Sequence, residues 1–192
     1  MPKPPCCRSA TPAPRGFTLV EMLIVVSLLA VIASVMVPSV SGNDGQRLDV
    51  AAAEVRDALR FSRAEAMRRG KYVLFDTESS PGQVRVMVTS GGCSSLSSFT
   101  AATDPRTKAA YVVKVTDGPF SGGVMVTPNF LAGGTAYGGL TFDAEGRPSS
   151  VCQVSSKTSK GTPAAGSGVV LSYGDRQVTV AVDPATGRVS IL

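Results

Sequence analysis

From Met22 to Asn43 the chain carries no charged residue, and apolar side chains fill nearly every position regardless of period. A run of that kind is helical and apolar all round, so Phe17 to about Ser41 is expected to form one helix. At about 1.5 Å per residue, the stretch from Met22 to Val40 nearly crosses the ~30 Å hydrocarbon core of a bilayer. Pro38 removes one backbone donor near its end, a loss that the Ser34 hydroxyl can soften. The small polar linker Ser41-Gly42-Asn43-Asp44-Gly45 follows.

From Arg47 to Arg69 the pattern becomes amphipathic. Leu48, Ala52, Val55, Leu59, Ser62 and Ala66 recur at the alternating four-three spacing that lines one helical face. Asp44 or Asn43 can cap the start, Arg68 and Arg69 suit the negative C-terminal end, and Gly70 suits the left-handed position beyond it. So small an apolar face must pack on something, and the segment that follows supplies it.

Beyond Gly70 the periodicity shortens to β-branched runs punctuated by turn residues. Strands are expected near Lys71–Asp76, Gln83–Thr89, Ala110–Thr116, Gly123–Thr127, Leu140–Asp143, Val151–Val154, Val169–Tyr173, Gln177–Val182 and Arg188–Leu192. The last two form a hairpin through Asp183-Pro184-Ala185-Thr186-Gly187. Ser90–Thr107 and Ser155–Gly168 read as loops, being rich in Ser, Gly, Thr and Ala. The predicted class is α+β: a long N-terminal helix, membrane-grade in its first half and amphipathic in its second, on an antiparallel, β-sandwich-like head.

Charge changes the picture at one end only. The 192 residues carry a net charge of +5, but Lys3, Arg8 and Arg15 stand before the apolar run with no acid among them. Residues 17–192 hold 16 Lys+Arg against 14 Asp+Glu. The basicity is therefore mostly a topology signal, which keeps the N-terminus cytoplasmic and sends the remainder outward. An ordinary secretory signal also begins with basic residues. Its cleavage would follow the apolar core, where Ala33-Ser34-Val35 and Val40-Ser41-Gly42 are weak candidate sites. Nothing in such a signal calls for Glu21, a carboxylate at the mouth of the apolar segment. An ionisable group costs about 3 kcal/mol at a membrane-helix centre, and less near an end.

The stretch Arg15-Gly16-Phe17-Thr18-Leu19-Val20-Glu21, with its basic leader and apolar sequel, resembles the type III signal of type IV prepilins and pseudopilins. The resemblance implies cleavage by a prepilin peptidase between Gly16 and Phe17 and N-methylation of the new Phe17 amine. It further implies assembly into a helical filament, in which Glu21 pairs with the Phe17 amine of a neighbouring subunit. Pro38 is similar to the family's common helix break; for a lone subunit it reads equally as a helix end. Leu59-Arg60-Phe61-Ser62-Arg63-Ala64-Glu65-Ala66-Met67-Arg68-Arg69-Gly70, running into Lys71-Tyr72-Val73, resembles the GspH/FimT family. Phe142-Asp143-Ala144-Glu145-Gly146-Arg147-Pro148 and Gly187-Arg188-Val189 resemble its later strands. The organisation implied is a cleaved leader at 1–16, a transmembrane and filament-core helix at 17–42, an amphipathic helix at 43–70 and a periplasmic head at 71–192. The partners implied are the prepilin peptidase, other minor and major pseudopilins or pilins, and the inner membrane. A GspH-like minor pseudopilin of type II secretion is the first reading and a FimT-like minor pilin of a type IV pilus the second. A soluble secreted β-protein with an ordinary signal peptide is the third.

Four cysteines bear on compartment. Cys6 and Cys7 would leave with the leader, whereas Cys93 and Cys152 would face a compartment where disulfides persist. A bridge between them would stabilise by about 4 kcal/mol in the chain-entropy model; two separate thiols are the alternative. The arginines at 56, 60, 63, 68 and 69 are interspersed with Glu54, Asp57 and Glu65. Asp57–Arg60 and Glu65–Arg69 have pairing spacings, so a self-paired face is expected. Some FimT-like proteins bind DNA through a C-terminal G-R-x-R element. Here Gly187-Arg188-Val189-Ser190 keeps only the first arginine, which leaves Arg188 and Arg176 as candidate contacts. Few aromatics and a near-neutral mature charge disfavour nucleic acid. The sequence contains no histidine, which removes Ser-His, Cys-His and His-ligated metal sites. No G-x-S-x-G, P-loop or C-x-x-C spacing replaces them, so neither catalysis nor a cofactor is expected.

Overall fold

The computed structural model describes residues 17–36, 44–77, 81–90, 98–132, 135–149 and 163–192. It divides into two compact units, 1–41 and 42–192. In the first, helix α1 spans Leu19–Met36. It starts two residues later than the apolar pattern because Thr18, not Phe17, opens it: the Thr18 carbonyl accepts from the Met22 N–H at 3.2 Å. Its 18 residues rise about 27 Å, just under the ~30 Å of a hydrocarbon core. Among the described residues no helix is long and apolar enough to cross a membrane. The sequence places the end of the span at Val40, beyond the described part of α1, and Pro38 also lies outside the described residues.

In the second unit, α2 spans Asp44–Arg69. All six residues that the four-three spacing assigned to its inner face are buried, with Ala51 and Ala58 filling the arc between them. Alanines there let the backbone approach closely, while Leu48, Val55 and Leu59 supply the bulk. Ser62 is tolerated inside because its hydroxyl donates to the Ala58 carbonyl at 2.8 Å. The helix stops where expected. Gly70 adopts φ 61°, and the Lys71 N–H turns back to the Ala66 carbonyl at 3.3 Å, satisfying an acceptor that the last turn leaves open. Asp44 lies within the first turn; Asn43, the other candidate cap, is outside the described residues.

The strands are β1 (Val73–Asp76), β2 (Gln83–Thr89), β3 (Phe99–Ala101), β4 (Val112–Lys114), β5 (Met125–Ala132), β6 (Thr135–Tyr137), β7 (Gly139–Phe142), β8 (Pro148–Ser149), β9 (Gly168–Tyr173), β10 (Arg176–Val182) and β11 (Val189–Ile191). Among the described residues they form two antiparallel sheets. One runs β3-β2-β1-β7-β8, with β4 also on β2; the other runs β11-β10-β9-β5-β6. The α+β class thus holds for the described chain.

Three strands escaped the sequence pattern. β3 lies inside the segment expected to be a loop, and it shares one edge of β2 with β4: β3 faces Met87–Thr89 and β4 faces Gln83–Arg85. At two or three residues each, β3, β6 and β8 are too short to show an alternation. β5 continues through Pro128, which pairs in register with Val169, although proline ordinarily argues against a strand interior. The expected strand Val151–Val154 lies outside the described residues.

One core joins α2 to both sheets, with Val73, Phe75, Val84, Val86 and Phe142 from the first and Phe130, Val169, Leu171, Val180 and Val182 from the second. Phe75 and Phe130 meet edge to face, ring centres 6.0 Å apart, as the quadrupoles of two aromatic rings prefer.

Candidate processing and assembly site

The N-terminal residues of α1 bring polar chemistry to an otherwise apolar helix. The Thr18 hydroxyl accepts from the Glu21 N–H at 3.2 Å, which satisfies one of the donors a helix start leaves without a partner. Thr18 and Glu21 therefore stand in the T-x-x-E spacing of a capping box, and Glu21 occupies the first turn, where the helix dipole favours negative charge. The capping role of Thr18 was missed by the sequence reading, although that spacing was there to be read. Further along, the Ser27 hydroxyl donates to the Ile24 carbonyl at 2.8 Å, so this polar group presents no open donor to an apolar surrounding.

Every described side chain from Phe17 to Ile32 is exposed, including Phe17 at 73% and Leu19 at 77%. An apolar helix with no covered face among the described residues of its own unit is built to be covered by something else. Among the described residues Glu21 makes no ion pair. Gly16, the other half of the expected cleavage site, lies outside the described residues.

Residues 13–37 match the prokaryotic N-terminal methylation motif. The chain carries a type IV pilin-like signal. That motif implies a substrate of a prepilin peptidase that assembles with other pilins, and suggests a membrane-anchored periplasmic protein. No curated protein and no solved structure matches the chain.

In the head, the structure separates what the sequence grouped. Arg176 starts β10, and its guanidinium lies beside Gly45 at the beginning of α2. Arg188 precedes β11 at the far end of the same hairpin, roughly 20 Å away at the usual rise of a strand. The two candidate DNA contacts therefore do not form one patch. The self-paired face of α2 is also redistributed. Glu65 does pair with Arg69 and, at 2.7 Å, with Arg68, whereas Asp57 pairs with its neighbour Arg56 at 3.1 Å and not with Arg60. The hydrogen bonds from Arg68, above all, hold the Glu65 carboxyl below its usual range. The acidic pair Asp143 and Glu145 is turn chemistry: one Asp143 oxygen accepts from the N–H groups of Glu145 and Arg147. Cys93 and Cys152 lie outside the described residues.

Proposed function

We propose that this chain is a minor pseudopilin of the GspH type, a single-pass inner-membrane subunit with a periplasmic head that enters the tip of a type II secretion pseudopilus. The observation that supports a pilin-like subunit is the match over residues 13–37, with Glu21 in the first turn of an apolar, exposed helix; the GspH type rests on the resemblance of Leu59–Gly70 and Phe142–Pro148 to that family. The role is structural. The chain is the substrate of processing, Gly16 giving the peptidase close access to the backbone and Phe17 supplying the amine that is methylated. The absence of histidine from the whole sequence supports a non-catalytic role.

Assembly follows from the cost of burying Glu21. As a subunit leaves the bilayer, its carboxylate loses water and headgroup contacts, a penalty of about 3 kcal/mol at a membrane-helix centre. The Phe17 amine of the neighbouring subunit offsets that penalty only when the two helices are in axial register, so the pair sets the register. Glu21→Ala is expected to be cleaved and inserted normally but excluded from filaments. N-terminal mass analysis should show methylated Phe17 on both forms, and sheared-filament blots only the wild type. Wild-type incorporation of the variant, or a mature N-terminus elsewhere, would overturn the reading. Deleting the gene should abolish protein secretion; loss of twitching with secretion intact would replace this reading with the FimT-like one.

A further inference from the structure

Between α2 and the last strand lies an open cleft of about 570 Å³, lined by Arg60, Arg63, Ala64 and Met67 from the helix and by residues 187–190. Its walls carry three guanidinium groups and no acid. Two turns build it. Gly187, at φ 69°, packs so closely on the turn around Gly146 that a Cβ there would lie 2.5 Å from the Gly146 carbonyl oxygen. That same carbonyl accepts from Arg63 Nε at 2.9 Å. The nested turns thus fix Arg63 and deliver Arg188 to the side of α2 that bears Arg60. Among the described residues neither Arg60 nor Arg188 has an ion-pair partner.

The floor of the cleft is an edge of a sheet. Val189 and Ser190, whose side chains point to opposite faces of the sheet, both line the cleft, so it runs along the edge of the strand. Among the described residues β11 is the terminal strand of its sheet. Leu192 and Thr179 exchange both backbone hydrogen bonds, at 2.9 and 3.2 Å, and Ser190 lies opposite Ala181 two residues earlier. By the alternation of an antiparallel ladder, the N–H and C=O groups of Val189 and Ile191 point away from β10.

We propose that this cleft binds an extended, acidic polypeptide segment of a partner, added as a strand to the free edge of β11 with an Asp or Glu side chain held by Arg60 and Arg188. The free edge offers alternating main-chain donors and acceptors, which a peptide backbone matches and a phosphodiester does not. No aromatic ring lines the cleft to stack a base, and Ala64 with the half-exposed Met67 suits an aliphatic side-chain stem. The guanidiniums of Arg60 and Arg188, neither in an ion pair among the described residues, then select a carboxylate through paired, charge-assisted hydrogen bonds. The proposal concerns the head alone and does not depend on how the N-terminus is processed.

The test uses the full chain in detergent micelles. The probes are a blocked hexapeptide of alternating Thr and Val with one central Glu, its Gln counterpart, and a short single-stranded oligonucleotide. The Glu peptide should bind about tenfold or more tightly than the Gln peptide, as expected for a charge-assisted pair. Arg60→Gln and Arg188→Gln should each remove most of that difference. Both side chains are exposed, so unchanged circular dichroism is expected for these variants. The remote Arg106→Gln should bind as the wild type does. Hydrogen exchange at the Val189 and Ile191 amides should slow on peptide binding. Equal affinity for the two peptides, unslowed exchange at those amides, or an equal loss in Arg106→Gln would overturn the proposal. So would a preference for the oligonucleotide that Arg188→Gln abolishes, since it would assign the cleft to phosphate.

Discussion

Glu65 is only 5% exposed, yet it carries a charge on the inner arc of α2. Burying an unpaired carboxylate costs several kcal/mol, and two arginines remove that cost. Arg68 Nε and Nη2 donate to its two oxygens at 2.7 Å each, and Arg69 Nε donates as well. These bonds lower the Glu65 pKa from the ordinary 4.5, with the Arg68 hydrogen bonds the largest cause. A carboxylate whose folded pKa is depressed stabilises the fold above its unfolded value and loses that contribution as pH falls through its folded value. Glu65→Gln is expected to cost about 1–3 kcal/mol at pH 7 by urea denaturation, the range for hydrogen bonds to charged groups. The deficit should shrink as the pH falls below the ordinary carboxylate range and through the lowered folded pKa, where the wild type becomes protonated. An equal deficit at acid and neutral pH would show that shape, not charge, holds the residue. Glu54 behaves in the opposite sense: burial raises its pKa, with the Ser121 hydroxyl at 3.3 Å partly offsetting the shift. Its contribution to stability therefore declines as pH rises through the carboxylate range.

At the level of elements, α2 was legible because each of its signals is local. The four-three spacing, the basic last turn and Gly70 involve residues within two turns of one another, and the helix they describe is the one that forms. The same holds for the β10–β11 hairpin, where one Asp183 oxygen accepts from the Ala185 and Thr186 N–H groups and from the Thr186 hydroxyl. β3 was harder because so short a segment does not decide its own conformation: it pairs along the edge of β2 that β4, which the pattern did show, also uses. Adjacent residues on α2 provide a direct check on its docking. Leu59 is fully buried and Arg60 exposed. Leu59→Ala should destabilise by about 2–5 kcal/mol, from lost burial plus the cavity left behind. Arg60→Ala should stay within about 0.5 kcal/mol of the wild type. Similar urea midpoints for the two variants would mean that α2 does not dock through this face.

For the whole molecule, the members of the main core fall between Leu48 and Val189, and all belong to the unit 42–192. A chain lacking residues 1–41 should therefore unfold in one cooperative thermal transition, within a few degrees of the head transition of the full chain in detergent. A truncated chain with no cooperative transition would show that the head depends on the N-terminal segment. The full chain without detergent should self-associate, because the apolar side chains of α1 have nothing in their own unit to cover them.

What the sequence determined by itself is what a short stretch of chain decides alone. The signal over residues 13–37 is of this kind, since an arginine, a glycine, a glutamate and an apolar run keep their meaning before any folding occurs. The inner face of α2 and the Asp183 turn belong with it. The tertiary structure decided whatever joins residues distant in the chain: two short strands on one edge of β2, the parting of Arg176 from Arg188, and the cleft that brings Arg60 and Arg63 to Arg188. The reason is physical. Periodicity and capping are set by neighbours within a few residues, whereas a strand edge or a cluster of like charges exists only once the hydrophobic core has brought remote segments together.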